Sequence, residues 1–169
     1  MNDLSKVNPE LVLETLARWQ KSNKQDAQEM DYIIKHSLRS LVKMGNKQAM
    51  EFLSFSADPE VVVSRISLKQ NQVIIGSVVE FSFTVTAKKD ERLLIDYVLY
   101  FQGKNGTMTN KKVFKLGRFE VRAGQKLVVN KRHRLGENMT TRKIYPGKHQ
   151  IELQINGAKM GMKDFEVVG

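Results

Sequence analysis

Residues 58–86 read DPEVVVSRISLKQNQVIIGSVVEFSFTVT. Asp58-Pro59 interrupts what precedes it, because a proline biases the residue before it away from helix. Beyond it the apolar period becomes two, clearest at Val79, Phe81, Phe83 and Val85. Side chains at that period line one face of a strand. Comparable runs continue to the C terminus and predict strands over Val61–Leu68, Val78–Thr86, Leu93–Phe101, Lys112–Leu116, Lys126–Leu135, His149–Ile155 and Lys163–Val167. Turn-forming residues separate them, and Asn156-Gly157 between two alternating runs is a strong hairpin signal.

Short strands with turns at this spacing predict an antiparallel sandwich of immunoglobulin-like architecture over residues 58–169. The disulfide and core tryptophan of antibody domains do not support membership there: cysteine is absent and the single tryptophan is Trp19. Working outward to the N terminus, residues 1–57 read as helical. Asn8-Pro9 is a start signal, with Val12, Leu16 and Trp19 on one face and Leu13 beside them. Asp26 starts a second helix with Glu29 at capping-box spacing. Met30, Ile34, Leu38 and Leu41 form its stripe, and Gly45 ends it. Asn46 caps a short third helix through Ala49, Phe52 and Leu53. The expected fold class is α+β, a short helical segment followed by an all-β sandwich.

The charge is unevenly spread. Thirteen Lys or Arg lie between Lys104 and Lys148 against two acids, Glu120 and Glu137, in a chain whose net charge is +10. That concentration attracts polyanions and would release counterions on contact with phosphates. Charge alone does not choose between nucleic acid, an anionic membrane and plain solubility. Without cysteine there are no disulfides or thiolate metal sites. The start MNDLSKVNPELVLETL has no signal-peptide pattern, and no apolar run reaches membrane-spanning length. These features lead to the expectation of a cytoplasmic protein.

The segment KHSLRSLVKMGNKQAMEFLSF (35–55), with LETLARWQ upstream, resembles the last helical repeat of the HEAT-like alkylpurine DNA glycosylases, the bacterial DNA alkylation repair family. VIIGSVVEFSF, LLIDYVLYFQGKNG, KKVFKLGRFEV, TTRKIYPGKHQIELQING and MKDFEV are similar to the AlkC branch, which carries an immunoglobulin-like domain after its repeats. The resemblance implies hydrolysis of the N-glycosidic bond of cationic alkylpurines, notably 3-methyladenine. It implies a carboxylate that stabilises the developing sugar cation, and a concave helical face that binds the duplex. It places the catalytic helices upstream of the repeat seen here. The expectation is therefore a C-terminal portion with no catalytic residue of its own, no cofactor and duplex DNA as partner. Ser54 stands where the family's usual glycine is expected.

Candidate DNA contacts are Arg39 and Lys43, which with Lys35 recur every four residues. They could form a phosphate-binding stripe or a solvated helix face. A second group is Lys111, Lys112, Lys115 and Arg118. A third is Lys131, Arg132, Arg134, Arg142 and Lys143, flanking a loop (136–141) whose Asn138, Thr140 and Thr141 could supply short polar contacts. The competing reading of both groups is a soluble basic surface. Trp19 reads as core. Asp96 interrupts an apolar strand and reads as structurally partnered or solvent-facing, although burial there could raise its pKa. Glu80 and Glu152 read as outward-facing. His36, His133 and His149 lack metal-ligand spacing, and His133 reads as part of a basic strand face. The alternative function is a protein-interaction or adhesion sandwich without enzymatic activity. Val12, Leu13, Leu16 and Trp19 offer more apolar area than one helix covers, which suggests a weak homodimer or upstream helical repeats as a further partner.

Overall fold

The computed structural model describes residues 1–22, 24–136 and 143–169, with backbone only at Thr109. Arg142 and residues 137–141 of the candidate loop lie outside the described residues. The chain divides into two compact units, Met1–Ala57 and Asp58–Gly169.

The first unit holds α1 (Asn2–Val7), α2 (Pro9–Ser22), α3 (Ala27–Ser37), α4 (Arg39–Lys43) and α5 (Lys47–Phe52). The starts follow the capping residues. Asn8 accepts from the Leu11 amide at 3.1 Å, Asp26 from Gln28 at 3.0 Å and Asn46 from Ala49 at 2.9 Å. These bonds satisfy amides that have no partner inside the helix. Two features depart from expectation. The helix after Asp26 is interrupted at Leu38, and α1 precedes Asn8. Helix α1 packs on α2 and α4, and Asn2 caps back onto the Ser40 amide at 3.1 Å. Val12 and Leu16 are accordingly fully buried, while Leu13 and Trp19 pack against the same core. This corrects the apolar-surplus argument for a homodimer, because those four side chains already have neighbours within the unit.

Ser54 follows α5 with φ 60°. That left-handed conformation costs a side-chain-bearing residue about 1–2 kcal/mol, a cost glycine escapes. Part of the gain is offset by the greater freedom of glycine in the unfolded chain. Ser54→Gly is therefore expected to stabilise by about 0.5–1 kcal/mol, read as a rise in Tm of a few degrees. A lower Tm would contradict this account of the turn.

The second unit has nine strands among the described residues: β1 (Val61–Val63), β2 (Ser67–Leu68), β3 (Gln72–Ile74), β4 (Val78–Ala87), β5 (Glu91–Gln102), β6 (Met108–Val121), β7 (Lys126–Arg134), β8 (Gly147–Ile155) and β9 (Ala158–Val168). In one sheet β4 pairs with β1 and β2 along one side and with β7 along the other; the second sheet runs β3-β9-β8-β5-β6. Val79, Phe81, Phe83 and Val85 of β4 meet Leu93, Ile95, Tyr97, Leu99 and Phe101 of β5 in one core. The alternation of β4 is thus the packing surface between two sheets.

The sandwich is not wholly antiparallel: β3 runs parallel to β9. After β2 the chain leaves the first sheet and joins the outer edge of the second, so no hairpin sets its direction. The expected strand Val61–Leu68 is two short strands. At the break Ser64 stands in for the ladder, its amide donating to the Thr84 carbonyl and its hydroxyl accepting from the Thr84 amide, both at 2.9 Å. The Asn156-Gly157 turn has φ 48° and 80°, the geometry of a tight hairpin. Asn156 is buried, accepts from the Leu94 amide at 2.7 Å and donates to the Arg92 carbonyl at 3.1 Å. It pins the β8–β9 turn to β5.

Candidate nucleic-acid interface

Strands β6 and β7 each pair on one side only and so form edges of their sheets. They are the strands that carry most of the candidate cations. Register assigns the faces. On β7, Leu127, Val129, Lys131 and His133 sit opposite the core positions Val85, Phe83, Phe81 and Val79, so Arg132 and Arg134 point to the outer face. On β6, Lys112 and Phe114 sit opposite Leu99 and Tyr97 and share the inner face. Lys111, Lys115 and Arg118 sit opposite Tyr100, Asp96 and Leu94 and occupy the outer one. A register shift between Ile95 and Asp96 puts Arg118 on the same face as Lys115, three residues before it. That bulge also hides the period: the predicted five-residue strand is fourteen residues long.

The two edges meet through three rings. The Tyr97 hydroxyl lies 2.7 Å from His133 Nδ1. The Phe114 ring stacks on Tyr97 at 5.2 Å and meets His133 edge-on at 4.6 Å. Burial, then the charges of Lys131 and Lys112, push the His133 pKa down to about 4. Burial pushes Tyr97 up to about 12. Both groups are therefore neutral at pH 7, and with the imidazole proton on Nε2 the tyrosine donates to Nδ1. This corrects the reading of His133 as part of a basic strand face: it points inward. The signal was available, since His133 shares parity with Leu127 and Val129.

The clasp brings together cations that sequence separates. Lys112 and Lys131 lie on the inner faces of the two edge strands, Lys111, Lys115 and Arg118 on the outer face of one sheet, and Arg132 and Arg134 on the outer face of the other. Arg132 is 3.7 Å from Glu80, and Lys112 lies over the Phe114 ring at 5.3 Å. Lys143 stands apart, exposed and over Tyr145 at 5.6 Å. Arg39 and Lys43 are exposed on α4 in the other unit. Lys35 is held by Asp31 in an i,i+4 ion pair.

The three carboxylates singled out in the sequence sit in different settings. Asp96 is buried and interacts with neighbours. Glu80 is half-exposed and outward, bonded to Lys69 at 3.4 Å. Glu152 lies on the outer face opposite Val98 as its alternation predicts, yet it is only 2% exposed, 3.2 Å from Lys159, and accepts from Gln154. A groove of about 840 Å³ beside β3 and β9 is lined by Gln72, Lys148, Asp164 and Glu166. Its groups satisfy one another, Lys148 with Asp164 and Gln72 with Glu166, each at 2.7 Å. Among the described residues no acidic or histidine cluster could hold a metal. No helix there is long and apolar enough to cross a membrane. His149 is fully buried between Phe101 and Phe165 and bonds the Tyr145 carbonyl at 2.9 Å. It braces the Pro146-Gly147 corner.

Residues 62–169 match the family described as uncharacterised protein YhaZ, C-terminal Ig-like domain. YhaZ of Bacillus subtilis (strain 168) is 29% identical over 167 residues, covering 99% of this chain and 45% of that protein. The Pseudomonas fluorescens alkylpurine DNA glycosylase AlkC, solved bound to DNA containing an abasic site analog, is 32% identical. It superposes with a TM-score of 0.89, covering 99% of this chain and 46% of its own. The chain thus spans about half the length of these relatives. A Listeria innocua β-glucosidase shares 16% identity and a TM-score of 0.54 over 66% of this chain and 16% of its own, a likeness of fold alone. With its two sheets packed over one core and this match across nearly all of the sandwich, the chain belongs to the family of YhaZ C-terminal immunoglobulin-like domains.

Proposed function

We propose that this chain is the DNA-binding C-terminal portion of a cytoplasmic DNA alkylation repair glycosylase of the 3-methyladenine type. In this reading the helices are the terminal HEAT-like repeat, and the basic sandwich clamps duplex DNA. The observation that carries it is the likeness, over 99% of the chain, to a glycosylase solved on DNA. The cations gathered on β6 and β7 support the clamp. Lys111, Lys112, Lys115, Arg118, Lys131, Arg132 and Arg134 surround that edge, and Lys143 adds to the positive charge; Arg142 is a further candidate by its place in the sequence alone. Arg39 and Lys43 are the helical unit's own contacts. Phosphate contacts of this kind set position and register without reading sequence, which suits a protein that must examine any stretch of DNA. No cofactor is required. An adhesion surface is the less favoured reading: the most exposed apolar side chains of the sandwich, Val62, Ile74, Val128 and Met162, lie on four different strands.

The division of labour is tested with methylated duplex DNA. The isolated chain is expected to retain the duplex at low salt and to release no 3-methyladenine above background. Release that disappears in Asp96→Asn would overturn this reading and make Asp96 catalytic.

A further inference from the structure

We propose that the helical unit carries a stacking site of its own, on α3 and α4, for a DNA strand that presents an unpaired base. This rests on the DNA-binding reading above and adds to it a preference for one state of the DNA. The first observation is Tyr32, which is 68% exposed, whereas the Trp19, Phe52 and Phe55 rings of its unit are half-buried or buried. Its ring stacks on the exposed His36 ring, with centroids 5.8 Å apart and planes 26° from parallel. Residues four apart share a helix face, and beyond the interruption at Leu38 the next helix carries Arg39 and Lys43. Both cations are exposed.

The stripe therefore holds two kinds of group, a flat aromatic pair on α3 and two cations on the short helix that follows. Stacking on an aromatic face is indifferent to base identity, and cations tracking the backbone complete such a site. A fully paired duplex offers no free base face to Tyr32. A strand with a base unpaired opposite an abasic position does. Charge complementarity favours a nucleic acid here over an apolar helix as the occupant, since the stripe ends in Arg39 and Lys43 with no acid on α4.

The test uses the whole chain and three fluorescein-labelled probes: an intact duplex, the same duplex with one base unpaired opposite an abasic analog, and the single strand. Anisotropy is read across a salt series. Tyr32→Ala is expected to weaken binding to the unpaired-base duplex and to the single strand by about tenfold, and to leave the intact duplex unchanged. Tyr32→Phe should retain wild-type binding, because stacking needs the ring and not the hydroxyl. Arg39→Ala with Lys43→Ala should lower the single-strand salt slope by about 1.4. Tyr32 is exposed, so these variants fold, as an unchanged Tm verifies. Equal affinity of Tyr32→Ala for all three probes relative to wild type would overturn the proposal and return the stripe to a protein-docking or solvated face, with the DNA-binding reading intact. An equal loss on all three probes would overturn the stacking preference alone. Failure of the wild-type chain to bind any probe would remove both readings.

Discussion

Replacing Lys111, Lys112, Arg132 and Arg134 together by alanine is expected to lower duplex affinity about 100-fold at low salt and to reduce the slope of log affinity against log salt by about 3–4. Each neutralised phosphate releases condensed counterions, and each contributes about 0.9 to that slope. The four residues come from both edge strands and from three directions around one edge, so their joint loss removes the field and not one contact. The 3.7 Å approach of Arg132 to Glu80 is an exposed pair worth little by itself and does not withhold the guanidinium from a phosphate. Edge strands also carry lysine as a defence against pairing with other chains. That role needs no DNA affinity, so the slope separates it from the clamp. Lys148→Ala, which breaks the pair with Asp164 at 2.7 Å, is the control and should leave the slope nearly unchanged.

The second large effect is a loss of stability between pH 6.5 and 4. His133 titrates at about 4 in the folded chain against about 6.5 when unfolded. The unfolded chain therefore binds more protons across that window, and stability falls as pH falls. The contribution is fully present above the unfolded pKa and is lost on descending through the folded one. Complete burial would make it about 3 kcal/mol; His133 keeps some solvent contact, which brings the expected value to about 1–2 kcal/mol. Lys112 and Lys131 oppose its protonation directly, and the Tyr97 hydroxyl bond favours the neutral ring. His149 is lowered by burial as well and adds in the same direction. Chemical denaturation at several pH values measures the effect. His133→Gln should flatten part of the slope between pH 6.5 and 4, and an unaltered slope would contradict the buried Tyr97–His133 bond.

What could be read from the chain divides along physical lines. Strand β4 was legible because its residues from Val79 to Ala87 obey one rule, apolar inward and polar outward. The caps at Asn8, Asp26 and Asn46 were legible because a side chain bonds an amide two or three residues away. Strand β3 was missed: its three residues acquire their pairing from β9, nearly a hundred positions later, and short pairing of that range leaves no local mark. Helix α1 was missed because MNDLSKV is short and carries only Leu4 and Val7 as large apolar residues after Met1, both exposed. The length of β6 was hidden by its bulge, which moves Arg118 to the face opposite Lys112. The charge of the candidate site was plain in sequence; its gathering on one edge was not, because it depends on a bond between strands of different sheets. The inward turn of His133 could have been found by parity, but its setting between Lys131 and Arg134 concealed it.

The central claim is that duplex DNA is held along the β6–β7 edge. Amide chemical shifts of the labelled chain, followed as a short duplex is titrated in at low salt, test it most directly. The account predicts that the sandwich's shift changes are concentrated on Lys111–Arg118 and Lys131–Arg134 and collapse as salt is raised. Changes centred instead on β3 and β9, around Gln72 and Glu166, or no changes at all, would contradict it.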